Sequence, residues 1–272
     1  MRAGEHDTRE VEALEAGLFD DLHAFCLFVG YPKSGHSLVG AMLDAHPDVI
    51  IAKATNPLAL VVENGLSRDA VFTLLVESSR AEALRGRKQN KYRYEVPGQW
   101  QGRVRTARVI GDKFSDRTTK RIARTEGALD AFAAEVQLPL RLVHVVRNPF
   151  DMVARITLSK IRRGTPDEKV ARATEYVGRL AGVNAGVIAE AAYPVLTVRH
   201  EAVIDDPEGE LTRLCGFLDV DPEPGYLAAC ASIVFRSPHR TRERIDWKPE
   251  QVAAIDEIVA GHAFFAGYGL DA

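Results

Sequence analysis

The sequence predicts an α/β fold in which helices flank a central parallel sheet. Short apolar runs recur along the 272 residues, and they are near-continuous rather than alternating, as in parallel strands that are covered on both faces. Segments with helical periodicity separate these runs, and an alternation of strands with helices is typical of a parallel sheet. Because ligands of such sheets bind at the carboxyl ends of the strands, we expect the functional site at that edge.

The individual elements follow from these runs and periodicities. Five runs are predicted as strands: Ala24–Gly30, Val49–Ala52, Ala107–Gly111, Arg141–Val146 and Pro194–His200. Five segments are predicted as helices: His36–His46, Asn148–Ile161, Pro166–Ala192, Glu208–Leu218 and Pro249–His262. In the first helix, Leu38, Met42 and Leu43 share one stripe, which is the spacing of a helix packed on a sheet.

Composition bounds the domain organisation and the class of protein. The length predicts one domain over residues 1–272, with a helical extension at residues 1–22 and a basic arm at residues 85–108. A net charge of -3 argues against a general nucleic-acid binder. The three cysteines lack the spacing of metal ligands and predict buried thiols. Residues 1–25 do not resemble a signal peptide, and no run reaches the ~18 apolar residues of a membrane span, so a soluble, cytoplasmic protein is expected.

The first strand is followed by a candidate phosphate-binding loop. Gly30 and Gly35 are separated by four residues and Ser37 follows, which is the frame of a P-loop. Successive backbone N–H groups at the start of the following helix can bind a phosphate. The kinase pattern places Lys at the position of His36, whereas here a lysine, Lys33, lies inside the loop.

A second candidate half-site follows the strand Arg141–Val146. Arg147 ends this strand, Asn148 is a good helix N-cap, Pro149 suits the first helical position, and Asp151 at the third position favours a capping-box-like bond. Arg147 therefore either binds a phosphate or only pairs with Asp151 or a nearby carboxylate. A third basic segment is either a solvated loop or a lid over the same ligand; its arginines are Arg236, Arg240, Arg242 and Arg244.

Together these segments resemble the sulfotransferases that use 3′-phosphoadenosine-5′-phosphosulfate (PAPS). Tyr31–Leu38 is similar to the phosphosulfate loop of that family, and Arg147–Asp151 is similar to its Arg-Asn-x-x-Asp motif. Arg240-Thr241-Arg242 precedes Asp246-Trp247 at the distance found between the Arg-Lys-Gly and Asp-Trp motifs of cytosolic members. The resemblance implies a P-loop-type nucleotide-binding fold, PAPS as co-substrate, the 3′,5′-bisphosphate PAP as product, and no metal.

The resemblance also implies roles for individual residues. Lys33 would contact the bridging and sulfuryl oxygens, while Ser34, Gly35, His36 and Ser37 would surround the 5′-phosphate. Arg147 would hold the 3′-phosphate with Arg240 and Arg242, and Leu38 and His200 would lie near the adenine. No magnesium is needed in this interpretation, because lysines can balance the charge that develops on the leaving oxygen.

Three departures from the family pattern leave the catalytic chemistry open. Arg155 stands where cytosolic members have a serine, so it either binds the 3′-phosphate or points to solvent. Lys113 falls near the family's catalytic histidine, and Ala54 falls near the base glutamate of tyrosylprotein members. The general base is therefore unassigned among Asp112, His36 and Asp116, while Lys113 is a candidate to stabilise the transferring group.

Residues 85–108 predict how an acceptor is recruited. This arm has eight basic residues against one acid, Glu95, and Pro97-Gly98 predicts a turn between two strands. Tyr92, Tyr94 and Trp100 are candidates to stack on the acceptor, which a basic arm predicts to be an anionic small molecule or peptide; the alternative is a solvated arm. Two other functions are weighed: a P-loop kinase, and a nucleotide-binding module without turnover.

Overall fold

The protein contains the predicted parallel sheet, with its first strand at the centre. The computed structural model describes residues 17–89 and 92–272. The five parallel strands have the order β2-β5-β1-β6-β7. They are β1 Ala24–Gly30, β2 Val49–Ala52, β5 Val109–Asp112, β6 Leu140–Val146 and β7 Val195–Arg199; β3 Lys88–Gln89 and β4 Tyr92–Arg93 form a separate antiparallel pair. All five predicted strands are confirmed, with shifts of one or two residues at their ends.

Helices connect the strands and cover both faces of the sheet. The eleven α-helices found in the described residues are α1 His36–Leu43, α2 Pro57–Val62, α3 Arg68–Leu84, α4 Ser115–Ile122, α5 Ala128–Val136, α6 Pro149–Ser159, α7 Pro166–Glu190, α8 His200–Asp205, α9 Pro207–Leu218, α10 Pro224–Ser232 and α11 Pro249–Ala260. Two short 3-10 helices flank α11, at Thr241–Arg244 before it and at Ala263–Phe265 after it. The five predicted helices correspond to α1, α6, α7, α9 and α11, whereas the other six were not predicted.

The N-terminal extension is only partly within the described residues. A helix was predicted at residues 1–22, of which residues 1–16 lie outside the described part. Residues 17–21 form a turn, so the prediction of a helix is wrong for this portion. In the described ranges no helix has the length and apolar character needed to cross a bilayer.

The core lies on both faces of the sheet and holds its strands in place. Every residue of β1 is buried, and its alternate side chains belong to two apolar clusters, one on each face. A third cluster packs α6 against α7 and α11. Cys26, Cys215 and Cys230 are buried free thiols, as predicted. Because β1 runs through the centre, its carboxyl end is fixed next to the ends of β5 and β6.

Candidate active site

A pocket of about 250 Å³ lies at the carboxyl edge of the sheet. Segments that follow each of the five parallel strands contribute side chains to it, and the hairpin β3–β4 and residues 235–241 close its other sides. Among the described lining residues, Asp116 is the one carboxylate. Six lining side chains are basic: Lys33, Lys53, Lys113, Arg147, Arg155 and Lys160. This excess of positive charge suits a ligand with several negative charges.

The loop after β1 has the backbone of an anion-binding turn. Lys33 and Gly35 both adopt left-handed conformations, with φ of 69° and 96°. A Cβ at Gly35 would collide with the His200 ring, so this position requires glycine for space as well as for conformation. Ser34 is buried and its hydroxyl donates to the Tyr31 carbonyl at 3.0 Å, which braces the loop from behind. The first amides of α1 have no acceptor within the helix and are available to a ligand.

His36 occupies the position of the kinase lysine but is held as a neutral ring. Its Nδ1 lies 3.2 Å from the Tyr31 carbonyl oxygen and 3.1 Å from the Ser115 hydroxyl. Since a carbonyl only accepts, Nδ1 carries the proton. Burial, assisted by the positive charge of Lys113, lowers the pKa of His36 to about 3. The imidazole is therefore uncharged at neutral pH.

Lys113 reaches the phosphate loop from the end of β5. Its Nζ donates to the Ser37 hydroxyl at 2.9 Å, and Gly40 leaves room for its stem, because a Cβ there would lie 2.8 Å from the Lys113 Cβ. Burial lowers the pKa of Lys113 to about 8, against the opposing effect of Asp112. This ammonium group is thus placed beside the phosphate loop and titrates close to neutrality.

Asp112, predicted as a catalytic residue, instead ties two loops together. It is fully buried and does not line the pocket. One carboxylate oxygen accepts from the Thr55 amide at 2.6 Å and the other accepts from the Phe114 amide at 2.7 Å. Burial raises the pKa of Asp112 to about 6, although these bonds oppose the rise. Its contacts hold the segments after β2 and β5 in register.

Arg147 lies in the pocket, and a carboxylate behind it is shared with Arg242. Asp151 accepts from the Arg242 guanidinium at 2.7 Å and from the Arg242 amide at 2.9 Å, whereas Arg147 is 3.7 Å away. Arg147 donates to the His239 carbonyl, but its Nε is buried with no hydrogen-bond partner in the described residues. Asn148 caps α6 as predicted, by accepting from the Phe150 amide at 3.0 Å. Asp151 does not return a capping-box bond, because Arg242 engages it.

The basic segment after α10 divides between the pocket rim and the protein interior. Arg242 is buried and also donates to the carbonyls of Leu270 and Ala272, so it anchors the chain rather than lining the pocket. Arg240 is exposed and does not line the pocket either. The residues of this segment that do reach the pocket are Phe235, His239 and Thr241.

The far side of the pocket contains two further predicted residues. Arg155 lines the pocket and lies 3.4 Å from the Tyr92 hydroxyl, so it does not point away to solvent. His200 is partly buried at the end of β7, and its Nδ1 is buried with no hydrogen-bond partner among the described residues. Burial, together with the charge of Arg147, lowers the pKa of His200 to about 3, so this ring is neutral as well.

The structure thus brings most of the predicted site residues into one pocket. Those that line it are Lys33, Gly35, His36, Ser37, Leu38, Lys113, Asp116, Arg147, Arg155 and His200. Ser34, Asp112, Arg240 and Arg242 lie outside its lining. Sequence analysis missed Lys53 and Lys160. A readable signal existed for Lys53, because it directly follows a predicted strand just as Arg147 does. Phe235 and His239 had none.

The basic arm includes a hairpin beside the pocket, and the turn predicted at Pro97-Gly98 is present but does not form that hairpin. Its strands are β3 and β4, so Pro97-Gly98 lies beyond the hairpin rather than between its strands. Tyr92 and Tyr94 line the pocket, whereas Trp100 does not; the Arg103 guanidinium lies over its ring at 5.3 Å. Lys91 lies outside the described residues.

Ion pairs reduce the positive charge of this arm. Arg87 is buried against Asp44. Arg105 binds Asp48 at 2.8 Å and Glu223 at 2.9 Å. The charge of the arm that remains for a ligand is therefore smaller than the sequence suggests.

Comparison with known proteins identifies the fold. No protein-family model and no curated protein matches the chain. Among solved structures, it is similar to a sulfotransferase domain from the curacin biosynthetic pathway, with a TM-score of 0.51, 13% identity, and coverage of 88% of this chain and 97% of that one. It is also similar to a sulfotransferase from Mycobacterium avium, with a TM-score of 0.50, 10% identity, and coverage of 91% and 79%. The chain therefore has the sulfotransferase fold that its motifs predicted.

Proposed function

We propose that this protein is a sulfotransferase that moves a sulfuryl group from PAPS to a hydroxyl or amine of an acceptor. The observation that supports this most directly is that Lys33, in the loop after β1, and Arg147, at the end of β6, line the same pocket. PAPS carries anionic groups at both its 5′ and 3′ positions, and these two basic positions match them.

The unsatisfied groups of the pocket fit such a nucleotide. The first amides of α1, beside the left-handed Gly35, suit the 5′-phosphate. The buried Nε of Arg147, which has no partner in the part of the chain that the structure describes, suits the 3′-phosphate, with Arg155 as a second donor. His200 and Leu38 line the pocket beside these groups and suit the adenine. Within the described ranges, no cluster of three His, Cys, Asp or Glu side chains is arranged to hold a metal ion.

The reaction needs charge stabilisation on one side of the sulfur and a base on the other. The acceptor oxygen or nitrogen forms a bond to sulfur as the bond from sulfur to the 5′-phosphate oxygen breaks. Lys33 and the loop amides stabilise the charge that develops on this leaving oxygen, and Lys113 stabilises the transferring group. The proton of the acceptor passes to a base on the acceptor side.

Asp116 is the base that we propose among the three candidates. Asp112 has both oxygens bound by backbone amides, and His36 belongs to the loop that we propose to hold the 5′-phosphate rather than the acceptor. Asp116 lines the pocket, and one of its oxygens accepts from the Tyr176 hydroxyl at 2.9 Å. Burial alone would raise the pKa of Asp116, but Lys160 and the Tyr176 bond outweigh it and hold the pKa below the ordinary value. The carboxylate is therefore ionised and able to accept a proton.

A comparison of nucleotides tests the proposal against a kinase and against a module without turnover. PAP at about 100 times its Kd is expected to stabilise the fold by about 2.7 kcal/mol, measured as a rise in Tm. ADP and ATP at the same concentration are expected to raise Tm less. Release of PAP from PAPS should then be accelerated by a panel of hydroxyl and amine acceptors, with full activity in excess chelator. Stabilisation by ATP that requires Mg²⁺ would favour a kinase, and PAP binding without any turnover would favour the module.

A further inference from the structure

A second, more open groove continues from the pocket between α4 and the segment that joins α6 to α7. It measures about 840 Å³, and Phe114, Asp116 and Lys160 line both spaces. We call this space the basic groove, because its lining includes Arg117, Lys120, Lys160, Arg162, Arg163 and Arg172. The groove therefore opens onto the pocket at the proposed base.

The positive charge of the groove is mostly unpaired. Asp116 lies 3.5 Å from Lys120, and among the described residues it is the one acidic residue of the lining. No ion pair is formed by Arg117, Lys160, Arg162 or Arg163 with any described residue. This contrasts with the basic arm, where Arg87 and Arg105 are paired. The groove thus has several cations available to an anionic ligand.

The segment that holds Arg162 and Arg163 is a loop braced by hydrogen bonds from the start of α7. Thr165 caps α7 in a capping box with Glu168, so this acid is engaged by the helix start. The Arg172 guanidinium donates to the Glu168 carbonyl at 3.1 Å and also to the Arg163 carbonyl. Gly164 has a φ of 104° and packs against these groups, with no room for a Cβ. These contacts brace the loop backbone beside the groove.

The other acid near this loop is also engaged elsewhere. Asp167 pairs with Lys248, the N-cap residue of α11, and accepts a hydrogen bond from Gln251 at 3.1 Å. Neither acid of the loop is available to neutralise Arg162 or Arg163. These guanidinium groups are therefore free to pair with an external anion, and they match phosphate and carboxylate oxygens in bidentate geometry.

We propose that the basic groove binds the acceptor, which is a hydroxyl compound carrying two or more phosphate or carboxylate groups. This inference rests on the proposed function and adds the substrate class. The anionic groups lie against Arg162, Arg163 and Arg117, and this places the reacting hydroxyl at Asp116, where the groove meets the pocket. Arginine-rich recognition at a distance from the reacting oxygen makes Arg162 and Arg163 specificity-determining residues rather than catalytic ones.

The test uses two simple polyanions as probes on protein saturated with PAP. Tripolyphosphate and tricarballylate represent the phosphate and carboxylate classes, and calorimetry at two ionic strengths measures their Kd. Both variants to be compared lose two exposed arginines: Arg162→Gln with Arg163→Gln in the groove, and Arg103→Gln with Arg108→Gln in the arm. The matched loss of charge separates local binding from the effect of net charge.

The groove variant is expected to weaken binding of the preferred probe by about fivefold or more, and added salt should weaken it in the wild type. In the arm variant, the Kd for the probe should change by less than about twofold, and in both variants the Kd for PAP should change as little. Equal losses in both variants, or no binding of either probe, would overturn the inference while leaving PAP binding, and the proposed function, intact. If PAP itself does not bind, the proposed function fails, and the groove is judged on the two variants alone.

Discussion

Replacement of Arg147 by alanine tests whether the pocket distinguishes a nucleotide by its 3′-phosphate. Arg147 is 8% exposed, and its Nε has no partner in the described residues, so a bound phosphate would complete its hydrogen bonding. A hydrogen bond to a charged group contributes about 1.5–3 kcal/mol, which corresponds to a loss of roughly 10- to 150-fold in Kd. The affinity for PAP should fall by this factor, whereas the affinity for AMP, which lacks the 3′-phosphate, should change little.

The structure also predicts that this variant remains folded. Asp151 keeps the guanidinium of Arg242 at 2.7 Å and its amide at 2.9 Å after Arg147 is removed, so no buried charge is left unpaired. Calorimetric titration of PAP and AMP, with a thermal melt of each protein, measures both effects. Arg240→Ala is the matched control, because Arg240 is exposed and outside the pocket lining. Equal losses for PAP and AMP, or the same loss in the control, would refute a role in 3′-phosphate binding.

Three further predictions concern the chemical step. Lys33→Ala should lower kcat by about 10² while Tm is retained, since the loop cation acts on the developing charge; an unchanged kcat under rate-limiting chemistry would contradict this. Because Lys113 has a pKa of about 8, the cation is lost as pH rises through this value, so kcat should fall on the alkaline side, and Lys113→Arg should move this limb upward. Asp116→Asn should lower kcat by about 10² or more at an unchanged Kd for PAP, and it should remove the acidic limb of the pH profile of kcat. Tyr176→Phe removes only the hydrogen bond that lowers the pKa of this carboxylate, so it should move the acidic limb to higher pH.

The strands could be predicted from the sequence, but part of the helical layer could not. The strands β1, β2 and β5 are fully buried, and the apolar run that such burial on both faces requires is a local signal. The helix α3 was missed although Val71, Phe72 and Leu75 form a readable apolar stripe. The helix α4 has no such stripe, because it is buried through polar groups: Thr119 accepts from the Gly30 amide and donates to Asn184. Its position depends on tertiary hydrogen bonds that no local pattern records.

The site shows the same division between local and tertiary information. The phosphate loop could be predicted because one short segment contains the glycines, the lysine and the start of the helix. Arg242 could not be assigned, since the sequence does not show which of several arginines binds Asp151. The contacts of Asp112 could not be predicted for a related reason: its two backbone partners, Thr55 and Phe114, meet only after β2 and β5 pair.

Local charge counting was least informative about the acceptor. Residues 85–108 suggested an anionic acceptor because eight basic residues lie within this short stretch, yet two of them, Arg87 and Arg105, pair with Asp44 and Asp48 from a distant segment. In the basic groove, Lys160, Arg162 and Arg163 are close in the sequence, whereas Arg117, Lys120 and Arg172 come from other segments. They converge because α4, the end of α6 and the start of α7 meet at the pocket mouth. A charge is available to a ligand only when folding leaves it without a partner, so the groove, rather than the arm, is the better guide to what the acceptor carries.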